Sequence, residues 1–341
     1  MTLQLKNIGM IKEASVKIDG LTVIAGENDT GKSTVGKALF AIIKSIQKQE
    51  EKDTLRQKLY KKEEEQALVD TLNFSVSIFW ENLFKVKKLY GEVNLIKGDG
   101  NYKYSTDHDE FINYSSEYSM IHDFEHIDII MIETPLVWNF TDFFRDTAQI
   151  ESQFRLELDY PYLMKDLNFK LHIKNASDGL DIKKKMTDLM GGEFKKDEMG
   201  RYYFDKKGQR IELVNTATGI KYFGLFQVLS QNNYLNEETV LILDEPEVHL
   251  HPKWQLEMAK IIVELVKNGV KIVVNSHSPY MIEALELYAE KAEVSRNFYL
   301  AKKEDDYSTF LDVSDNLEAI YSQLAEAIET LEVQSLDNFK W

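Results

Sequence analysis

The stretch Gly26-Glu27-Asn28-Asp29-Thr30-Gly31-Lys32-Ser33 sets two glycines, a lysine and a hydroxyl at the spacing GxxxxGK[ST]. It follows the apolar run from Leu21 to Ala25 and precedes a segment of helical periodicity, the context such a loop requires. Glycines at 26 and 31 let successive N–H groups turn inward, and the N-terminus of the following helix adds its positive end. The chemistry is the cradling of a polyphosphate. Residues Gly26 to Thr34 form the cradle, with Lys32 placed to reach the β- and γ-phosphates, Ser33 to ligate Mg²⁺ and Thr34 to hydrogen-bond the α-phosphate.

A second cluster follows the apolar run Val240 to Leu243, which ends in Asp244-Glu245-Pro246. An Asp at such a strand end holds Mg²⁺ through water, and a Glu directly after it can deprotonate an attacking water. The plainer alternative is a helix start, where acids favour the dipole. His277 follows another apolar strand, Lys271 to Asn275, at the end where parallel sheets bind ligands. It is placed to donate a hydrogen bond to a γ-phosphate and to hold the water. His249 and His251, in HLHP, lack further clustered ligands and read as structural or dimer-contact residues.

These groups need a frame. Leu3–Ile8 and Ser15–Ile24 read as β segments, the second turning at Asp19-Gly20, and Leu39, Ile42, Ile43 and Ile46 mark one face of a helix from Val35. That helix passes into a mixed-charge, solvated run at 47–66. Residues 74–104 suggest helix and then a hairpin near Gly98–Gly100, Ile127–Ile132 a buried parallel strand, and 136–190 mostly helix. A hairpin turns at Lys206-Lys207-Gly208, after which Thr218 is a plausible N-cap for a helix carrying Ile220, Phe223, Leu225 and Phe226. A last helix, about Asn316 to Leu336, presents Leu317, Ile320, Tyr321, Leu324, Ile328 and Leu331 as a packing stripe.

With 41 Lys+Arg against 57 Asp+Glu, the 341-residue chain carries a net charge of −16, which disfavours nonspecific binding to nucleic acid except through a local groove or a partner. It has no cysteine, so thiolate metal sites, disulfides and a cysteine nucleophile are excluded. No apolar run is long enough to span a membrane, and the N-terminus lacks a signal-like stretch; the expectation is a soluble, cytoplasmic protein with no membrane partner.

Four segments in order, GENDTGKST, NTATGIK, LILDEPEVHLHP and NSHSPYMIEAL, resemble the ABC-type head ATPases of the OLD, RecF and SMC-like group. The nearest flavour is that of bacterial AAA-type ATP-binding proteins beside effector genes in phage-defence loci, such as those of Septu and retron-associated systems. The resemblance implies an α/β P-loop NTPase: an ABC-ATPase head with a mixed sheet, its core at 1–45 and 205–300, a mainly helical insertion at 46–204 and a C-terminal segment at 301–341. It implies ATP and Mg²⁺, with Lys32, Glu245 and His277 catalytic and Ser33 and Asp244 on the metal. Ala217-Thr218-Gly219 matches a signature that contacts ATP bound to a second protomer, although the family's Ser-Gly-Gly core is replaced. The family's metal-facing Gln after the insertion strand is here Glu133, which would take over that role. The implied assembly is a homodimer sandwiching ATP that regulates a separate nuclease or toxin, because about forty residues after the matched core, which ends at 300, leave no room for an appended nuclease. The rivals are a slow-turnover scaffold that holds such a partner and, lower, a transporter's nucleotide-binding subunit; the long segment between residues 32 and 219 disfavours the latter.

Overall fold

The computed structural model describes residues 1–58, 91–98, 100–105, 110–113, 126–154 and 162–325. Apolar strands too hydrophobic for a solvated face dictate its centre. β1 (Thr2–Ile8), β2 (Ile11–Lys17) and β3 (Leu21–Gly26) lead into α1 (Lys32–Lys58). β4 (Glu92–Lys97), β5 (Gly100–Ser105), β6 (Glu110–Asn113) and β7 (Asp128–Ile132) follow, then a 3₁₀ turn at Pro135–Phe140, α2 (Thr141–Phe154), α3 (Tyr162–His172) and α4 (Lys183–Met190). β8 (Glu193–Lys196), β9 (Tyr202–Lys206) and β10 (Gln209–Glu212) form a small antiparallel sheet. Next come α5 (Thr218–Gln231), β11 (Thr239–Asp244), α6 (Pro252–Lys267), β12 (Lys271–Ser276), α7 (Pro279–Lys291), β13 (Arg296–Glu304) and β14 (Tyr307–Asp312).

Among the described residues the main sheet has eleven strands in the order β6-β5-β4-β1-β2-β14-β13-β3-β12-β11-β7. From β13 to β7 every pair is parallel; β6, β5, β4, β1 and β2 pair antiparallel. Period-two alternation gives the parallel strands two buried faces. Leu21, Val23, Leu241, Leu243, Ile272 and Val274 face a core shared with α5, α6 and α7. Ile24, Val240, Ile242 and Val273 face the opposite core, against Val35, Leu39, Ile42 and Ile46 of α1. The register pairs Ile24 with Asn275 and Asn275 with Asp244, which brings the C-terminal ends of β3, β12 and β11 level.

The described residues of 46–204 include both helices and strands of the main sheet. Among the described residues β4, β5, β6 and β7 join it, β7 as the outer parallel strand beside β11. The reason is local composition: Val93, Leu95, Tyr102 and Tyr104 alternate with polar residues and are buried. Trp138 and Phe144 fill the core, Phe143 is exposed, and Trp80 and Phe84 lie outside the described residues. The final helix is described over 318–325, with Leu317 and Ile320 buried; Ile328, Leu331 and Leu336 lie outside the described residues.

A buried charge network ties α1 to α3 and β7. The Asp166 carboxylate meets Lys170 Nζ at 2.5 Å and Lys44 Nζ at 3.0 Å, and the two ammonium groups hold it below the usual carboxylate range although burial acts the other way. Asn175 Nδ2 donates to Asp128 Oδ2 at 2.5 Å nearby. Removing the central carboxylate leaves two ammonium groups without their counter-charge, so Asp166→Ala is expected to lower unfolding free energy by about 3–5 kcal/mol in urea titrations. A loss below ~1 kcal/mol would show that the network is not a structural anchor.

Candidate functional site

The phosphate loop leaves β3 at Gly26 (φ +150°) and bends through Asp29 (φ +60°) and Gly31 (φ +83°). A Cβ on Gly26 would lie 2.4 Å from the Ala301 carbonyl oxygen of β13, so only glycine lets β3 turn there beside its neighbour. Thr30 Oγ1 donates to Glu27 O at 2.8 Å, and Lys303 of β13 reaches Asp29 Oδ2 at 2.6 Å. Glu27, Asn28 and Asp29 are exposed, whereas Thr30 and Lys32 are buried.

Lys32 opens α1, and its Nζ donates to the carbonyls of Gly26 at 2.9 Å and Glu27 at 2.5 Å. Burial pulls its pKa below the ordinary lysine value, against the opposing charges of Glu245, Asp244, Glu247 and Glu27. Ser33 Oγ donates to Asp244 Oδ1 at 3.0 Å, and Asn275 Nδ2 donates to the same oxygen at 2.8 Å. The three residues stand at the ends of adjacent elements: the start of α1, the end of β11 and β12. An alcohol and a carboxylate oxygen side by side, with the carboxylate steered by an amide, form a hard-oxygen donor set that suits Mg²⁺.

Glu245 follows Asp244 with φ +48°, a left-handed conformation that costs a non-glycine residue free energy. It is held by its N–H donating to Asn275 O at 2.9 Å and by its own carbonyl accepting from Val248 N at 3.0 Å. The turn throws the Glu245 carboxylate toward His277, whose Nδ1 lies 3.2 Å from Glu245 Oε1; both side chains are partly exposed. Lys32, Ser33, Asp244, Glu245 and His277 are thus gathered at one edge of the parallel sheet.

Other expected residues lie differently. Thr218 is not the N-cap: Ala217 is, with no side-chain cap, because its backbone is extended and Thr218 is already helical. The first-turn N–H groups of α5 therefore lack a capping side chain. Gly219 is buried, and a Cβ there would meet Leu250 and Trp254 at 3.2 Å. Among the described residues no hydrogen bond or ion pair joins residues 217–219 to the loop at 26–34. Glu133, just beyond β7, pairs with Lys37 Nζ of α1 at 2.9 Å. His251 caps α6, its Nδ1 accepting from Lys253 N at 3.3 Å.

Two residues of the site do not stand out in the sequence. Asn275 reads as one more member of an apolar strand, yet it steers Asp244. Glu247, two positions beyond Glu245, reads as a solvated acid but is 4 % exposed, its Oε1 accepting from Ser276 Oγ at 2.6 Å, His277 N at 3.0 Å and Ser278 N at 3.2 Å. The available signal was the run Ser276-His277-Ser278-Pro279, a helix start whose free N–H groups call for an acceptor.

The sheet order and the loop at 26–34 give the chain the α/β fold of the P-loop NTPases. Residues 21–283 match the family described as AAA domain, putative AbiEii toxin, Type IV TA system, and the chain belongs to that family. Septu protein PtuA of Bacillus thuringiensis is 36% identical over 47 residues, covering 14% of this chain and 12% of the relative. Among solved structures, an Smc head bound to the C-terminal winged-helix domain of ScpA superposes with a TM-score of 0.53 at 13% identity, covering 94% of this chain and 98% of that one. The Pyrococcus furiosus Smc head with an extended coiled coil, bound to the ScpA C-terminal domain, gives 0.51 at 12% identity and 98% of both chains. Among the described residues no helix is long and apolar enough to cross a membrane.

If the loop needs glycine at 26 for backbone reasons, Gly26→Ala is expected to cost at least about 1–3 kcal/mol in chemical denaturation, through backbone strain and the clash with Ala301 O. Unchanged stability would show that β3 and β13 can part at this point.

Proposed function

We propose that the chain is a Mg²⁺-dependent ATPase head in which Lys32 binds the terminal phosphates of ATP, Glu245 activates the attacking water and His277 flanks it. The observation that carries this reading is the convergence of two pairs: Ser33 with Asp244 at 3.0 Å, and Glu245 with His277 at 3.2 Å. Ser33 and Asp244 would hold Mg²⁺, which neutralises developing charge on the β- and γ-phosphate oxygens. The backbone of residues 26–34 orients the phosphate chain, and Thr34 reaches its α-phosphate. Glu245, beside a histidine and aimed by a strained turn, is a base held in place before substrate arrives. Glu133 would take the metal-side place of the family's Gln, held beside α1 by its ion pair with Lys37, one helical turn beyond Ser33.

The head works as a homodimer, residues 217–219 of each copy closing over ATP held by the other. Uncapped first-turn N–H groups at α5 support this, since such a terminus attracts phosphate. ATP-driven closure regulates a separate effector of nuclease or toxin chemistry, in phage defence or a DNA transaction. The stretch shared with Septu protein PtuA and the ScpA-bound Smc heads support the inference of a protein partner. The net charge of −16 keeps the head itself off free nucleic acid except through a groove or that partner.

Glu245→Gln should bind ATP with unchanged affinity and lose 10²–10⁴-fold in turnover, the range of a positioned general base; Lys32→Ala should lose binding as well. Fluorescent-nucleotide titration and phosphate release measure the two effects separately, and undiminished turnover in Glu245→Gln moves the base elsewhere. Because Gly219 is packed against Trp254, the dimer is better probed at Thr218. Thr218→Asp should block turnover by charge repulsion while monomeric binding persists, and mixing it with Lys32→Ala should restore one working site per heterodimer. Verified heterodimers without activity argue against the sandwich.

A further inference from the structure

We propose that Glu247 is a positioning residue of the ATPase site: its buried carboxylate pins the Ser276-His277-Ser278 turn and so holds the His277 ring against Glu245. The inference rests on the ATPase reading and extends it to a residue outside the phosphate loop and the Asp-Glu pair.

The geometry is specific. One oxygen, Oε1, accepts three donors from three consecutive residues: the Ser276 hydroxyl and the His277 and Ser278 backbone N–H groups. These donors sit at the junction of β12 with α7, where the helix terminus favours a negative charge. Ser278 is the N-cap of α7 and donates through Oγ to Gln255 Oε1 at 2.7 Å, while Gln255 Nε2 donates to Leu250 O at 3.1 Å. The turn is thereby tied to α6 and to the loop that carries Glu247. On the chain side, Glu247 is anchored by its own carbonyl, which accepts from Leu250 N at 2.9 Å. The His277 backbone is thus fixed by Glu247 while its ring faces both acids, Nδ1 lying 3.2 Å from Glu245 Oε1 and 3.8 Å from Glu247 Oε1.

Stability alone does not account for a carboxylate here. Its second oxygen, Oε2, is buried with no hydrogen-bond partner among the described residues, as is the hydroxyl of Tyr222 on α5. Burial pushes the Tyr222 phenol well above its ordinary value, with Glu247 the charge that bears on it most and Asp244 next. A buried carboxylate with one oxygen unpaired among the described residues costs folding free energy that a packed apolar side chain would not. The positional gain is what offsets that cost: Glu245 leaves Asp244 in a strained backbone conformation, and its partner His277 comes from a different strand, so one shared anchor between the two turns sets their relative placement.

The test is a double-mutant cycle on the full chain with ATP and Mg²⁺. Glu247→Ala is expected to lower kcat about 10–100-fold, with the KM for ATP and the affinity for fluorescent ATP changed less than threefold, as for a reacting group displaced by about an ångström. Glu247→Gln keeps Oε1 as an acceptor and should recover most of that loss. On a His277→Ala background, Glu247→Ala should lower kcat by no more than threefold further. An equal loss in both backgrounds, or a raised KM with kcat unchanged, overturns the proposal. Should Glu247→Ala fail to fold, Ser276→Ala removes one of the three donors and is expected to lower kcat at least threefold at unchanged ATP affinity; wild-type kcat in that variant has the same overturning force. The positional claim is also read without turnover, by NMR of ¹³C-histidine-labelled protein. Glu247→Ala should shift or broaden the His277 ring resonance and leave those of His126 and His172 in place, and an unmoved His277 overturns the proposal. Wild-type protein that hydrolyses no ATP but shows the expected His277 shift would instead overturn the ATPase reading alone.

Discussion

One carboxylate oxygen organises the site. Asp244 Oδ1 accepts from Ser33 at the start of α1 and from Asn275 on β12, so three separate stretches of chain converge on a single atom. That convergence is possible only because β3, β12 and β11 are parallel neighbours in a register that sets Ile24, Asn275 and Asp244 level. A one-residue slip of β11 would turn Asp244 into a core and present Leu243 to the loop. The hydrophobic pattern of three short strands is therefore also the alignment device of the chemistry.

Around this point the chain accepts local strain for orientation. Gly26 and Gly31 adopt positive φ without a Cβ penalty, but Asp29 and Glu245 do so as ordinary residues. Each is held by a neighbour: Asp29 by Lys303 of β13, Glu245 by the Asn275 carbonyl. Buried polar groups add a second layer, in which Glu247, Ser276, Ser278 and Gln255 link the turn after β11, the turn after β12 and α6. The acids that flank Lys32 oppose the lowering that its burial causes, close to where a polyphosphate would enter.

The parts legible in the sequence were those whose chemistry is local. The phosphate loop, the Asp-Glu strand end and His277 each announce themselves within a dozen residues, and the apolar strands around them are unambiguous. What escaped depends on tertiary context. The hairpin expected near Gly98–Gly100 is present as β4 and β5, Lys97 pairing with Gly100, but its place beside β1 is set by tertiary pairing. Ala217 displaces Thr218 as N-cap because the chain enters α5 extended one residue earlier, which no side-chain preference records. The metal-side role of Glu133 follows only from the family resemblance, and its ion pair with Lys37 depends on how β7 packs beside α1. Glu247 hid in an acidic stretch because burial, not residue type, defines its role.

The central claim is that these groups hydrolyse ATP with a divalent ion held at Ser33 and Asp244. The most direct measurement is the time course of phosphate release from ATP by the purified chain, run side by side in Mg²⁺ and in excess chelator. The account predicts steady release in Mg²⁺ and none in chelator. Release at the same rate in both conditions, or none in either, would contradict it.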